Sequence, residues 1–145
     1  MTPPERSPKA HTAPKGSETI LLVDDEVAVR ELVRRALQKL GYTVLEASDV
    51  ADALGIEANY PGPIHLLLSD IVMPDLNGPD LAQRLVLRRP AMKVLYISGF
   101  ERYGAIRSDF SGRHTAFLQK PFTPEVLALN VRALLDRQVG IDGPA

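Results

Sequence analysis

Short apolar runs alternating with longer stretches of helical period constrain this chain more than any other feature. Residues 19–23 form a brief run rich in β-formers, consistent with a strand covered on both faces. Over 26–40, Val29, Leu32, Val33, Ala36, Leu37 and Leu40 recur at spacings of three and four. That spacing predicts a helix with one buried face, stopped by Gly41. Further strands are expected at 43–46, 65–69, 93–97 and 115–118, and further helices at 49–57, 78–87 and 123–138. Asp49 and Thr123 stand where helix caps belong, and Pro124 suits a first helical position. A fourth helix is expected at 101–110, where Tyr103, Ile106 and Phe110 share a side, though Gly104 and Gly112 weaken it. The last helix carries Val126, Leu127, Leu129, Val131 and Leu134 on more than one narrow face, so good cover is expected for it. Five β-α repeats imply an α/β fold, a parallel sheet with helices on both faces. Ligands of such sheets bind beyond the carboxyl ends of the strands.

The 145 residues suffice for one domain, and 45% apolar with 24% charged residues is ordinary for a globular protein. There is no cysteine, which excludes disulfides, thiolate metal sites and cysteine nucleophiles. A net charge of −1 lacks the basic excess of nucleic-acid binders, so no direct nucleic-acid contact is expected. The apolar runs are too short to span a bilayer and the first residues lack a signal peptide's apolar stretch. The expected setting is therefore the cytoplasm, away from membranes. Residues 1–17, with Pro3, Pro4, Pro8 and Pro14, have too little apolar content to offset ordering and read as a disordered tail or linker. Residues 140–145 read as a flexible end, which leaves 18–139 as the folded unit.

The predicted strand ends carry the chemistry. The first ends in Asp24-Asp25, the third in Asp70, the fourth in Ser98 and the fifth in Lys120. Each alone reads as a turn, a cap or a solvated surface residue. Together they deliver three carboxylates, a hydroxyl and an ammonium to one edge of the sheet. Three carboxylates in one cleft repel each other, and a hard divalent cation such as Mg²⁺ would relieve this with oxygen ligands. One carboxylate could then attack a phosphoryl group whose oxygens Ser98 and Lys120 bind.

Four stretches resemble the receiver domain of two-component response regulators. They are Ile20-Leu21-Leu22-Val23-Asp24-Asp25-Glu26; Ser69-Asp70-Ile71-Val72-Met73-Pro74 with Asn77-Gly78; Tyr96-Ile97-Ser98-Gly99-Phe100; and Phe117-Leu118-Gln119-Lys120-Pro121-Phe122. The resemblance runs from about residue 18 to 138 and implies a three-layer, flavodoxin-like, doubly wound sheet with strand order 2-1-3-4-5 and five helices. It implies Asp70 as phosphoacceptor, with Lys120 and Ser98 assisting. It further implies that Asp25, Asp24, Asp70 and the backbone carbonyl of Val72 hold Mg²⁺. Ser98 and Phe117 match the switch pair, and the bond before Pro121 matches one that is cis in the family. Phe117 can alternatively be read as plain core.

The implied partner is a histidine kinase or phosphotransfer protein, with an unknown downstream effector and a weak homodimer as an option. Phosphorylation of Asp70 would draw Ser98 inward, turn Phe117 toward the core and reshape the face of the fourth helix, fifth strand and fifth helix. Val72 and Phe100 cannot orient an attacking water, so slow self-dephosphorylation is expected. His65, His11 and His114 have no metal-ligand spacing, and His65 reads as a strand-edge residue; Asp75 reads as a solvated turn residue. Two settings stay open, a stand-alone receiver and the carboxyl-terminal receiver of a hybrid sensor histidine kinase, which the opening motif after a Pro-rich linker favours. A degenerate receiver that only binds partners, never phosphorylated, is the alternative function.

Overall fold

The computed structural model describes residues 14–71, 78–99 and 114–137. The elements run β1 (Thr19–Val23), α1 (Val27–Lys39), β2 (Thr43–Ala47), α2 (Val50–Asn59), β3 (Leu66–Asp70), α3 (Gly78–Arg88), β4 (Lys93–Ser98), β5 (Thr115–Gln119) and α4 (Pro124–Leu135). The expected helix at 101–110 lies outside the described residues, so the fifth helix expected from the sequence is α4. All strand pairs are parallel, in the order β2-β1-β3-β4-β5. The fold is the doubly wound, flavodoxin-like sheet, with four helices among the described residues.

Side chains alternate across the pleat and so divide the interior into two layers. Leu21, Val23, Leu67, Val94 and Tyr96 face one side, where Val50 and Ala53 of α2 and Leu81, Ala82 and Leu85 of α3 cover them. Ile20, Leu22, Leu66, Leu68, Leu95 and Ile97 face the other, against Val33 and Leu37 of α1 and Leu127, Val131 and Leu134 of α4. Central strands β1, β3 and β4 are covered on both faces, which is why their sequences read as unbroken apolar runs.

Local signals set the helix ends. Gly41 has φ 106°, and its N–H donates to the Gln38 carbonyl while that of Tyr42 donates to Leu37, so a left-handed residue closes α1. Asp49 accepts from the Asp52 N–H at 2.8 Å, and Thr123 accepts from that of Val126 at 3.1 Å. The far end of α4 is held differently. Lys93, almost fully buried at the start of β4, donates from Nζ to the carbonyls of Leu134 (3.0 Å), Leu135 (2.8 Å) and Arg137. An ammonium there satisfies orphan helix carbonyls and opposes the negative end of the macrodipole.

Two details depart from the sequence expectation. Helix α4 is covered on one side only: Leu127, Ala128, Val131 and Leu134 are buried, while Val126 and Leu129 are exposed. The 3.6-residue repeat turns the latter pair away from the sheet, and an apolar side chain does not by itself bring cover. Similarly, Leu32 of α1 is 45% exposed because Val33 and Leu37 occupy the inward line. His65 stands just before β3, where its Nδ1 accepts the Thr19 N–H at 2.9 Å, so it serves the strand edge as a hydrogen-bond acceptor.

Arg132 ties α4 to the chain entering β1. Its guanidinium grips Glu18 through Nη1 (3.2 Å) and Nη2 (2.7 Å), and also reaches Asp136 and the Tyr42 hydroxyl. Hydrogen bonds from Arg132 hold the Glu18 carboxyl at about 2, well below its ordinary 4.5. In acid the unfolded chain therefore takes up this proton first. The contribution is complete above pH 4.5 and disappears as pH falls toward 2. Glu18→Gln is expected to lower the melting temperature at pH 7 and to flatten its fall across that acid window, as thermal denaturation at stepped pH would show.

Candidate functional site

Because every strand runs the same way, the last residues of β1, β3, β4 and β5 meet at one edge. Asp24 and Asp25 follow β1, Asp70 ends β3, Ser98 ends β4 and Lys120 follows β5. Carboxylate oxygens of Asp24, Asp25 and Asp70 lie within 4.8 Å of one another. Lys120 Nζ sits 3.3 Å from Asp70 Oδ2, 3.9 Å from Asp24 Oδ2 and 3.1 Å from Glu26 Oε1. The structure thus brings together Asp24, Asp25, Asp70 and Lys120, residues 24 to 120 in the chain, from three strands that share no local sequence.

The carboxylates differ in surroundings. Asp24 is fully buried, Asp70 partly so, and Asp25 is exposed. Asp24 Oδ1 accepts the Glu26 N–H at 2.9 Å, whereas Oδ2 has no hydrogen-bond partner among the described residues. Burial raises the Asp24 carboxyl from 3.8 to about 6, against the opposing pull of the Glu26 N–H and Lys120. Burial also works against the charge on Lys120, but Asp70, Asp24 and Glu26 outweigh it and hold the ammonium above its ordinary range. This donor set is all oxygen, clustered and partly unsatisfied, which fits a hard divalent cation such as Mg²⁺. Val72 lies outside the described residues.

Ser98 is buried, its Oγ donating to the Gly99 carbonyl at 3.1 Å, and its own carbonyl accepts the Lys120 N–H at 2.8 Å. A backbone bond therefore joins the hydroxyl-bearing and ammonium-bearing residues directly. The peptide bond between Lys120 and Pro121 is cis. Phe117, half-buried on β5, stacks at 5.2 Å and 33° against Tyr96, two residues before Ser98 on the neighbouring strand. Phe100 and Asp75 lie outside the described residues.

Three neighbours of the site stand in the resembling stretches without a role assigned to them there. Ser69, fully buried, donates from Oγ to the Asp70 carbonyl at 2.8 Å. Gly78, first residue of α3, lies so close to Asp70 that a Cβ there would stand 2.3 Å from the Asp70 carbonyl oxygen. Glu26 shares Lys120 with Asp70. The signal for Glu26 was present as a third consecutive acid after β1, whereas Gly78 offered only a glycine at a helix start.

An ionised Asp24 lacking a full set of partners opposes folding. Its raised pKa means that this penalty is absent below pH 3.8 and complete above about pH 6. Asp24→Asn is expected to stabilise the metal-free protein by about 1–3 kcal/mol at pH 7. The gain should vanish below pH 4, checked by urea denaturation at both values. Gly78→Ala is expected to destabilise by about 1–3 kcal/mol, because backbone rather than a flexible side chain must yield; the same denaturation experiment measures it.

Comparison with known proteins agrees with this geometry. Residues 20–132 match the response regulator receiver domain. Sensor kinase CckA of Brucella abortus (strain 2308) is 38% identical over 134 residues, covering 92% of this chain and 14% of that protein. The response regulator receiver protein CpdR of the same organism is 34% identical over 116 residues, covering 80% of this chain and 95% of that protein. Among solved structures, the receiver domain of the hybrid histidine kinase CckA is 36% identical with TM-score 0.68, covering 81% of this chain and 99% of that one. A CheY-like receiver domain protein from Methanospirillum hungatei JF-1 is 27% identical with TM-score 0.71, covering 88% and 100%. The chain thus spans a small part of the sensor kinase and nearly all of CpdR. With an acidic cluster, a lysine and a buried serine gathered at one sheet edge, it belongs to the response regulator receiver domain family.

Proposed function

We propose that this chain accepts a phosphoryl group on Asp70 from a phosphohistidine of a histidine kinase or phosphotransfer protein. The observation that carries the reading is the approach of Lys120 Nζ to 3.3 Å from Asp70 Oδ2, beside carboxylate oxygens clustered within 4.8 Å. Asp25, Asp24, Asp70 and the Val72 carbonyl would hold Mg²⁺. The bound cation would neutralise charge on the phosphoryl oxygens.

Asp70 is partly exposed at the rim, so an incoming phosphorus can reach its oxygen. An Asp70 oxygen forms a bond to phosphorus as the bond to the donor imidazole nitrogen breaks, and the imidazole leaves with its electron pair and takes up a proton. The Lys120 ammonium holds a phosphoryl oxygen, and the Ser98 hydroxyl rotates from the Gly99 carbonyl to bind another. Ser98 then shifts inward, and Phe117, against Tyr96, follows it toward the core. Strand β5 and the exposed Val126 and Leu129 of α4 register the change, as one of two packed states gains population. The domain acts as a phosphoacceptor that promotes only its own modification.

Both cellular settings have relatives, the hybrid kinase in CckA and the stand-alone receiver in CpdR. Transfer from a phosphohistidine serves either. Acetyl phosphate with Mg²⁺ is expected to add one phosphoryl group to the wild-type chain and none to Asp70→Asn, read by intact-protein mass spectrometry. Equal labelling of the two would remove Asp70 from the role, and no labelling of wild type would leave a module that only binds partners.

A further inference from the structure

We propose that Glu26 is an internal competitor for Lys120, occupying the ammonium until a phosphoryl group displaces it, and so setting how readily the site takes one up. The proposal rests on the reading of Asp70 as phosphoacceptor and deepens it.

Glu26 occupies the N-cap position of α1 with extended backbone (φ −88°, ψ 114°), yet its side chain makes no capping bond and the first turn has no acidic residue. The Ser, Thr, Asp and Asn residues favoured in that position spend their oxygen on the N–H groups of their own helix. Glu26 instead extends across the site to Lys120, with Oε1 3.1 Å from Nζ. Its backbone is pinned for this: the Glu26 N–H donates to Asp24 Oδ1 and its carbonyl accepts the Arg30 N–H. Arg30, the first cation along α1, is committed to the Asp24 carbonyl at 2.7 Å and to Glu46 at 3.3 Å. Glu26 and Asp70 therefore draw on one ammonium.

Magnitudes make the competitor displaceable. Glu26 is 61% exposed, and an exposed ion pair shifts an equilibrium by only about a few-fold. A phosphoryl group carries up to about two negative charges and several strong acceptors, and outcompetes one solvated carboxylate. Glu26 thus weakens uptake modestly without blocking it, and it can recapture Lys120 when the phosphoryl group leaves.

Three proteins distinguish this from a general charge effect: wild type, Glu26→Gln and Glu26→Asp. Aspartate keeps the charge, but it is one methylene shorter and is a favoured N-cap, so its carboxylate turns to the α1 N–H groups. Beryllofluoride binding with Mg²⁺, read by intrinsic tyrosine fluorescence, is expected to tighten about two- to fivefold in both variants, as loss of an exposed ion pair implies. In metal-free protein, amine-reactive labelling at Lys120, mapped by mass spectrometry, is expected to accelerate in both. An Asp variant that behaves as wild type while only Gln tightens binding would overturn the proposal, as would unchanged Lys120 labelling. Faster labelling without any beryllofluoride binding, in wild type as in the variants, would confirm that Glu26 holds Lys120 but defeat the competition and the phosphoacceptor reading. Thermal melting of all three confirms that folded proteins are compared.

Discussion

Lys120 lies within ion-pair reach of Asp24, Glu26 and Asp70, and this crowded balance of charge organises the carboxyl edge of the sheet. Bringing carboxylates together is unfavourable, and burying Asp24 completely makes it more so. The fold tolerates the arrangement because the ammonium, the Glu26 N–H and a solvent-facing rim share the load. Such a cluster of oxygens favours added positive charge. Its electrostatic strain and its chemistry have the same origin.

That strain is carried by an apolar frame. Leucines, isoleucines and valines of β1, β3 and β4 fill both layers beside the sheet, and their burial is the dominant favourable term. Ion pairs away from the site include Arg132 with Glu18, Glu57 with Arg88 and Arg89, and Glu46 with Arg30 and Arg34. Arg89 also bonds the carbonyls of Tyr60 and Gly62, holding the Pro-Gly-Pro turn that leads back to β3. These contacts fix where strands enter the sheet, and the strand ends fix where the carboxylates emerge.

The fold was legible because central parallel strands must be apolar on both faces, so Ile20 to Val23 and Leu66 to Leu68 announce themselves without an alignment. The site was legible through the resemblance and because its polar residues follow those runs directly. What the sequence did not disclose depends on distant partners. Lys93 read as the start of a strand, and only the fold brings it to the end of α4. Val126 and Leu129 read as covered because hydrophobicity indicates a preference for burial rather than the presence of a neighbour. Glu26 stood in the opening motif without a role, since the reach of its side chain to a lysine 94 positions later is set by strand order.

The Lys93 clamp also assigns mechanical roles to the two ends of α4. Its carboxyl end is riveted to the first residue of β4 by three carbonyl bonds, at the sheet edge opposite the acids. Its amino end begins three residues past Pro121, beside Lys120. The helix is thus anchored at opposite edges of the sheet by different means, an ammonium at its carboxyl end and the chain that carries Lys120 at its amino end. Between these anchors Leu127, Ala128, Val131 and Leu134 seat it on the strands, and that seating is what aims Val126 and Leu129 outward.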